Sequence, residues 1–181
     1  MSLKSLTRIH CSDFTEENQL AVRGNSQSTP KGNNLVKMGK TGYFPFKKNG
    51  EAYGSTGFNS CLGVLIVGDG GAIIGHYCPN AVDVKGEWDV NSQAAAKAIP
   101  SYFKSNKSAF ASKLKTYIYA QVEATGKYTH PELVAYLQNL IKKETGQTPT
   151  VKTYKNSTGK KGPGGGFAVE DGKRGYSVSW A

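Results

Sequence analysis

The chain has 181 residues, enough for one domain with a single hydrophobic core, and its 38% apolar and 10% aromatic content excludes a wholly disordered protein. Lys and Arg outnumber Asp and Glu by 23 to 13, and most of the excess positive charge lies in residues 104–181. The longest apolar run, residues 62–67, is too short to cross a bilayer, and the first residues lack the apolar stretch of a secretory signal. We therefore expect no membrane span and a cytoplasmic protein, or one delivered into the cytosol of a host cell.

The first fifty residues differ in composition from the rest of the chain. Residues 1–50 are rich in Gly, Ser, Asn and Lys, with short apolar islands only near residues 35–36 and 43–46. We interpret them as a partly irregular N-terminal arm that docks through Phe44 and Phe46. Residues 51–181 are then the single folded domain.

The remaining pattern alternates between strands and helices. Two apolar runs, residues 62–67 and 72–77, flank an Asp-Gly turn and predict a hairpin. After it come a helix over residues 91–99 that Pro100 breaks, a second helical stretch over 102–111, a strand over 114–122, a helix over 129–143, a strand over 150–154 and a closing hairpin of residues 167–169 and 176–180. This order predicts the α+β class, a layered sandwich with a mostly antiparallel central sheet flanked by helices.

The hairpin register brings a cysteine and a histidine together. With Asp69-Gly70 as a two-residue turn, Cys61 faces Cys78 and Gly63 faces His76. Side chains alternate along strands, so the two cysteines and the histidine share one face, and Gly63 leaves the imidazole room to lean toward Cys61. We expect a Cys–His pair in which the imidazolium lowers the pKa of the thiol.

Other interpretations of these residues remain open at this point. Cys61 could be a buried small apolar side chain, or it could form a disulfide with Cys78 under oxidising conditions. An odd count of three cysteines fits either a reducing compartment or a chain with at least one free thiol. A zinc site built from Cys61, His76 and Cys78, or including His10 and Cys11, is disfavoured because the usual ligand spacings are missing. We expect neither a metal nor an organic cofactor.

The residues around Cys61 resemble a known family. Ser55-Thr56-Gly57-Phe58-Asn59-Ser60-Cys61-Leu62-Gly63-Val64, followed by Gly75-His76 and Pro79, is similar to the core of the chemotaxis receptor glutamine deamidases, the CheD family. The cytotoxic necrotizing factor toxins share that fold and a similar Cys-to-His spacing. The resemblance covers residues 53–80, and elsewhere only the order of elements agrees.

The resemblance implies a role for each matching residue. Cys61 would be the nucleophile and His76 its base. Ser55 lies at the position of the family's orienting Thr, six residues before the Cys, and the adjacent Thr56 is the other candidate for that role. The backbone N–H groups of Ser60 and Cys61 would stabilise the oxyanion.

These roles predict a thiol-dependent hydrolase that deamidates glutamine side chains of a protein substrate. Transglutamination, with an amine in place of water, stays open. The alternative is a non-catalytic basic module that contacts nucleic acid or an acidic protein through Lys142, Lys143, Lys152, Lys155, Lys160, Lys161, Lys173 and Arg174. Few aromatic residues accompany these lysines, namely Tyr154, Phe167 and Tyr176, so nucleic acid is disfavoured and an acidic protein surface is the expected partner.

Overall fold

A computed structural model of the chain describes residues 30–79, 90–155 and 165–181. The strands are β1 (Lys40–Pro45), β2 (Ala52–Phe58), β3 (Leu62–Gly68), β4 (Gly71–Tyr77), β5 (Lys115–Gln121), β6 (Thr150–Tyr154), β7 (Gly165–Gly172) and β8 (Gly175–Trp180). The helices are α1 (Val90–Lys97), α2 (Ile99–Ser105) and α3 (Pro131–Thr145). The described strands form a five-stranded sheet in the order β1-β4-β3-β5-β6 and a three-stranded sheet in the order β2-β7-β8.

The predicted α+β class with a mostly antiparallel sheet is confirmed, because β5 and β6 form the single parallel pair among the described strands. One core lies between the five-stranded sheet and the helices, and a second lies between the two sheets. Val64 and Ile66 of β3 belong to the first core, and Leu65 and Val67 to the second. The helices therefore cover one face of the central sheet, and the smaller sheet covers the other.

The predicted register of the β3–β4 hairpin is confirmed. Gly68 pairs with Gly71, and Gly63 pairs with His76. Because a two-residue turn allows a single strand register, the turn determines which residues face each other along the hairpin. Cys61 immediately precedes β3, at the end of the hairpin away from the turn.

The last part of the predicted arm is built into the sheet. β1 pairs with β4 along its whole length and forms one edge of the five-stranded sheet. Phe44 and Phe46, the two residues expected to dock, pack on Tyr53 with ring centroids 5.2 and 5.9 Å apart. Residues 1–29, which carry most of the predicted arm, lie outside the described residues.

Helix boundaries follow the predicted signals. Pro100 lies in the first turn of α2, so the break after α1 is confirmed. The second helical stretch is shorter than predicted, because α2 ends at Ser105 and a 3-10 turn, Lys107–Phe110, follows. α3 ends where Gly146 adopts a left-handed φ of 75°. No helix in the described parts of the chain is long and apolar enough to span a membrane.

Candidate functional site

The three candidate side chains are buried in the interior, and two of them, Ser55 and His76, contact each other directly. Cys61 immediately precedes β3, His76 lies near the end of β4, and Ser55 comes from β2 of the smaller sheet. Their exposed fractions are 2%, 3% and 0%. The candidate site is therefore closed to solvent in this conformation.

Hydrogen bonds determine which nitrogen of His76 carries the proton. Ser55 Oγ lies 2.7 Å from the carbonyl oxygen of Val36 and 2.8 Å from His76 Nδ1. A carbonyl oxygen only accepts, so the Ser55 hydroxyl donates to Val36, and its oxygen must accept from Nδ1–H. The proton of the neutral ring is thus on Nδ1, and Nε2 keeps its lone pair. Nε2 is buried and has no hydrogen-bond partner among the described residues, so its lone pair is available to accept a proton.

Cys61 and His76 are not hydrogen-bonded to each other in this conformation. The Cys61 thiol instead contacts Met38, with Sγ and Sδ 3.9 Å apart. The Phe58 ring stacks on the imidazole, with centroids 4.0 Å apart and 16° between the planes. The space expected beside Gly63 is filled, because a Cβ atom there would lie 2.7 Å from Phe167 and 2.9 Å from Phe58. The prediction that this glycine leaves the imidazole room to move is therefore wrong.

Burial determines the charge state of the pair. Burial raises the pKa of the Cys61 thiol to about 12, although a hydrogen bond from the Asn59 backbone acts in the opposite direction. Burial also lowers the pKa of His76 to about 3. Both shifts favour the neutral forms. The expected low thiol pKa is therefore wrong for this closed conformation, and an ion pair requires the site to open.

The turn before β3 is held by an aromatic residue of the sheet edge. Ser60 has a left-handed φ of 67°, and the Tyr154 hydroxyl donates a 2.7 Å hydrogen bond to the carbonyl oxygen of Cys61. A backbone hydrogen bond from Ser60 acts on the Tyr154 phenol as well, although burial raises its pKa overall. The Ser60 backbone thus contacts Tyr154 here, and its role at an oxyanion stays a prediction.

The structure places Ser55 rather than Thr56 against the imidazole, and it adds three neighbours that sequence reasoning missed. Ser55 is fully buried against His76, whereas Thr56 is half-buried and has no described hydrogen bond to the imidazole. Phe58 lies within the motif that resembles the family, but nothing in the sequence indicates that its ring stacks on the imidazole. Tyr154 and Met38 reach the site from distant parts of the chain, and no local pattern marks them.

The other cysteine of the hairpin is not part of this pair. Cys78 is disulfide-bonded, whereas Cys61 is a free thiol. A Cys61–Cys78 disulfide is therefore not formed. In the described residues, no group of three or more His, Cys, Asp or Glu side chains is arranged to hold a metal ion.

The predicted basic stretch is divided between two regions. A groove of about 730 Å³ is lined by Lys113, Lys115, Lys173 and Arg174, among others. Lys115 pairs with Val67, at the opposite end of β3 from the thiol. Lys152 instead pairs with Tyr119, near the thiol end of the sheet. Lys152 and the lysines of the groove thus lie toward different ends of the central sheet.

No protein-family model matches this chain, and no curated protein is significantly similar to it in sequence.

Proposed function

We propose that the protein is a thiol-dependent hydrolase that deamidates glutamine side chains of a protein substrate. The observation that carries the proposal is the chain of hydrogen bonds from His76 Nδ1 through Ser55 to the Val36 carbonyl. It orients the ring and leaves Nε2, which has no partner among the described residues, on the face shared with a free thiol. A nucleophile, a base and a group that orients the base are the parts that such catalysis needs.

The reaction follows from these roles. His76 Nε2 takes the thiol proton, and Cys61 Sγ attacks the carboxamide carbon of glutamine. The C–N bond then breaks, and ammonia leaves with the proton returned by His76. Water, activated by the same nitrogen, hydrolyses the thioester to glutamate and frees the thiol. An amine in place of water would give transglutamination by the same steps.

The oxyanion of the tetrahedral intermediate needs donors close to the thiol. We assign this role to backbone N–H groups at Ser60 and Cys61, in the turn where Ser60 has a left-handed φ of 67°. In the closed conformation Tyr154 contacts this turn. Substrate binding would then have to free at least one of these donors.

The proposed place of action is a cytosol, either of the producing cell or of a host cell. A disulfide at Cys78 is more typical of oxidising compartments. The disulfide therefore fits a protein that crosses an oxidising compartment on its way to a host cytosol better than one that stays in the cytosol of the producing cell.

The test is conversion of glutamine to glutamate in a panel of unfolded proteins and peptides, measured by ammonia release and by mass spectrometry. Because the thiol is 2% exposed, the assay includes both the unmodified chain and Met38→Gly, which removes the side chain in contact with it. Cys61→Ala should abolish conversion, whereas Thr56→Ala should retain it. Absence of Cys61-dependent conversion in both forms would overturn the proposal.

A second candidate, a non-catalytic module for an acidic protein partner, is favoured by the basic groove at Lys113, Lys173 and Arg174. Such a module would lose affinity steeply with salt and would be indifferent to Cys61→Ala. A deamidase should show the reverse for turnover of a small peptide. The two functions are therefore distinguished by measuring partner binding and peptide turnover, each against salt concentration and each with and without Cys61→Ala.

A further inference from the structure

The segment of residues 35–39, here called the strap, crosses from the smaller sheet to the larger one beside the thiol. At one end the Val36 N–H donates to the carbonyl oxygen of Gly54 in β2, with 2.8 Å between the atoms. At the other end the Gly39 N–H donates to the carbonyl oxygen of His76 in β4, also at 2.8 Å. Main-chain hydrogen bonds thus attach the strap to the two strands that carry the orienting hydroxyl and the base.

The side chain of the strap that reaches the site is Met38. Its Sδ atom lies 3.9 Å from Cys61 Sγ, and the side chain packs against the core between the two sheets. Met38 is half-buried, whereas the thiol that it contacts is 2% exposed. The Met38 side chain therefore covers part of the thiol and is itself partly open to solvent.

Methionine is a close geometric stand-in for glutamine. Both side chains are unbranched, and Sδ of methionine is the same number of bonds from Cα as the carboxamide carbon of glutamine. Attack requires the reacting atoms to come within about 3–3.5 Å, and the observed sulfur–sulfur distance of 3.9 Å is slightly longer. A second feature of the site also points to a ligand. His76 Nε2 is buried and has no hydrogen-bond partner in the described parts of the chain.

We propose that the strap is a built-in pseudosubstrate and that Met38 fills the position of the substrate glutamine. An extended peptide with a glutamine would displace the strap, pair with the main-chain groups of β2 and β4 that the strap releases, and present its carboxamide to Cys61. The free protein is autoinhibited by the same contact. This inference rests on the proposed function.

The decisive experiment uses the chain as its own substrate. In Met38→Gln the introduced carboxamide replaces Sδ beside the thiol, and we expect it to be converted to the acid. Chymotryptic digestion keeps position 38 within a longer peptide, because trypsin would cleave at Lys37 and Lys40. A stalled thioester, seen as loss of ammonia from the intact chain and cleaved by hydroxylamine to a hydroxamate and the free thiol, would be equal support.

Matched controls exclude spontaneous deamidation. Met38→Gln combined with Cys61→Ala should keep the amide intact, and Gln121 and Gln138 in the same sample report background conversion. Met38→Leu preserves the bulk of the strap side chain without an amide. Alkylation of Cys61 should be about tenfold or more faster in Met38→Gly than in Met38→Leu, because loss of the contact favours opening.

The outcomes separate this inference from the function on which it rests. If Met38→Gly deamidates added glutamine peptides but the amide of Met38→Gln survives in a folded chain, the pseudosubstrate is refuted and the deamidase stands. The same holds if alkylation rates do not differ between Met38→Gly and Met38→Leu. If neither variant converts any glutamine, the proposed function fails and the pseudosubstrate fails with it.

Discussion

At the scale of single residues, the hydroxyl of Ser55 has two tasks. It orients the imidazole, and it satisfies the carbonyl oxygen of Val36 in the interior. From the sequence alone, its loss would be expected to cost about 1 kcal/mol, the contribution of a neutral hydrogen bond. Because both of its partners are held in the buried interior and would be left unsatisfied, its removal affects stability as well as activity.

We expect Ser55→Ala to lower the free energy of unfolding by about 1–3 kcal/mol, the cost of leaving buried polar groups unsatisfied. Turnover of a glutamine peptide should fall by about tenfold or more, because the ring is no longer oriented. Ser55→Thr should restore activity, and Thr56→Ala should resemble the parent chain. Greater damage from Thr56→Ala would show that the orienting group has been assigned to the wrong residue.

The buried imidazole also makes stability depend on pH. His76 has a pKa of about 3 in the folded chain against an ordinary value of 6.5, so between these values the unfolded chain binds more protons. The contribution of this group to the free energy of unfolding is complete above pH 6.5. As the pH falls toward 3, this contribution is lost by up to about 1.4 kcal/mol per pH unit. His76→Gln should flatten this slope in urea unfolding at several pH values. Half-buried His130, whose pKa is also lowered, contributes equally in the parent chain and in His76→Gln. If the variant kept the same dependence of unfolding free energy on pH, that dependence would not come from His76.

At the scale of elements, β6 and the start of β3 are joined through one hydroxyl. Tyr154 lies on the edge strand of the five-stranded sheet, and its side chain reaches the carbonyl of Cys61 in the inter-sheet core. The turn that presents the nucleophile contains the left-handed Ser60. A strained turn needs such an anchor, because non-glycine residues adopt this conformation at a cost.

Tyr154→Phe should therefore loosen the nucleophile turn without disturbing the aromatic core. We expect about 1 kcal/mol less stability, the contribution of one hydrogen bond, and faster alkylation of Cys61. Tyr117→Phe is the matched control, since Tyr117 lies on the neighbouring strand β5 and its hydroxyl has no described hydrogen bond. Equal effects of the two variants on alkylation would show that Tyr154 does not anchor the turn.

The sequence predicted the hairpin register because Asp69-Gly70 allows one tight turn, and that turn places Cys61 and His76 on one face. It did not predict β2, whose Gly, Ser and Thr residues show neither an apolar run nor alternation. The sequence also does not predict that the Cys61 thiol is buried, because this burial depends on Met38 and on packing between the two sheets. Tertiary contacts of this kind leave no periodic signal in the chain.

At the scale of the whole molecule, the candidate site and the basic groove lie at opposite ends of β3. Cys61 precedes the strand, while Lys115 of the groove pairs with Val67 near its other end. The groove also contains an ion pair between Lys113 and Asp69, with 3.2 Å between Nζ and Oδ1. Seven residues of strand separate the two regions by about 20 Å. A partner that engages both must therefore span that distance.

This separation predicts a dependence on substrate length. An extended peptide reaches at most about 3.3–3.6 Å per residue, so a glutamine peptide of about five residues cannot touch the groove, whereas one of about fifteen with an acidic end can. Lys173→Glu with Arg174→Glu should slow association of the long acidic peptide about tenfold at low salt, and this difference should shrink as salt is added. Turnover of the short peptide should not change.

The control for this charge reversal is Lys142→Glu with Lys143→Glu, which alters the net charge equally at the end of α3, outside the groove. At 0.1 M ionic strength its effect on the long peptide should be smaller than that of the groove variant, because exposed charges then act only over about 10 Å. If both charge reversals slowed association equally, net charge rather than the groove would attract the substrate. If the groove variant reduced turnover of the short peptide, the groove would have to contribute to the site itself.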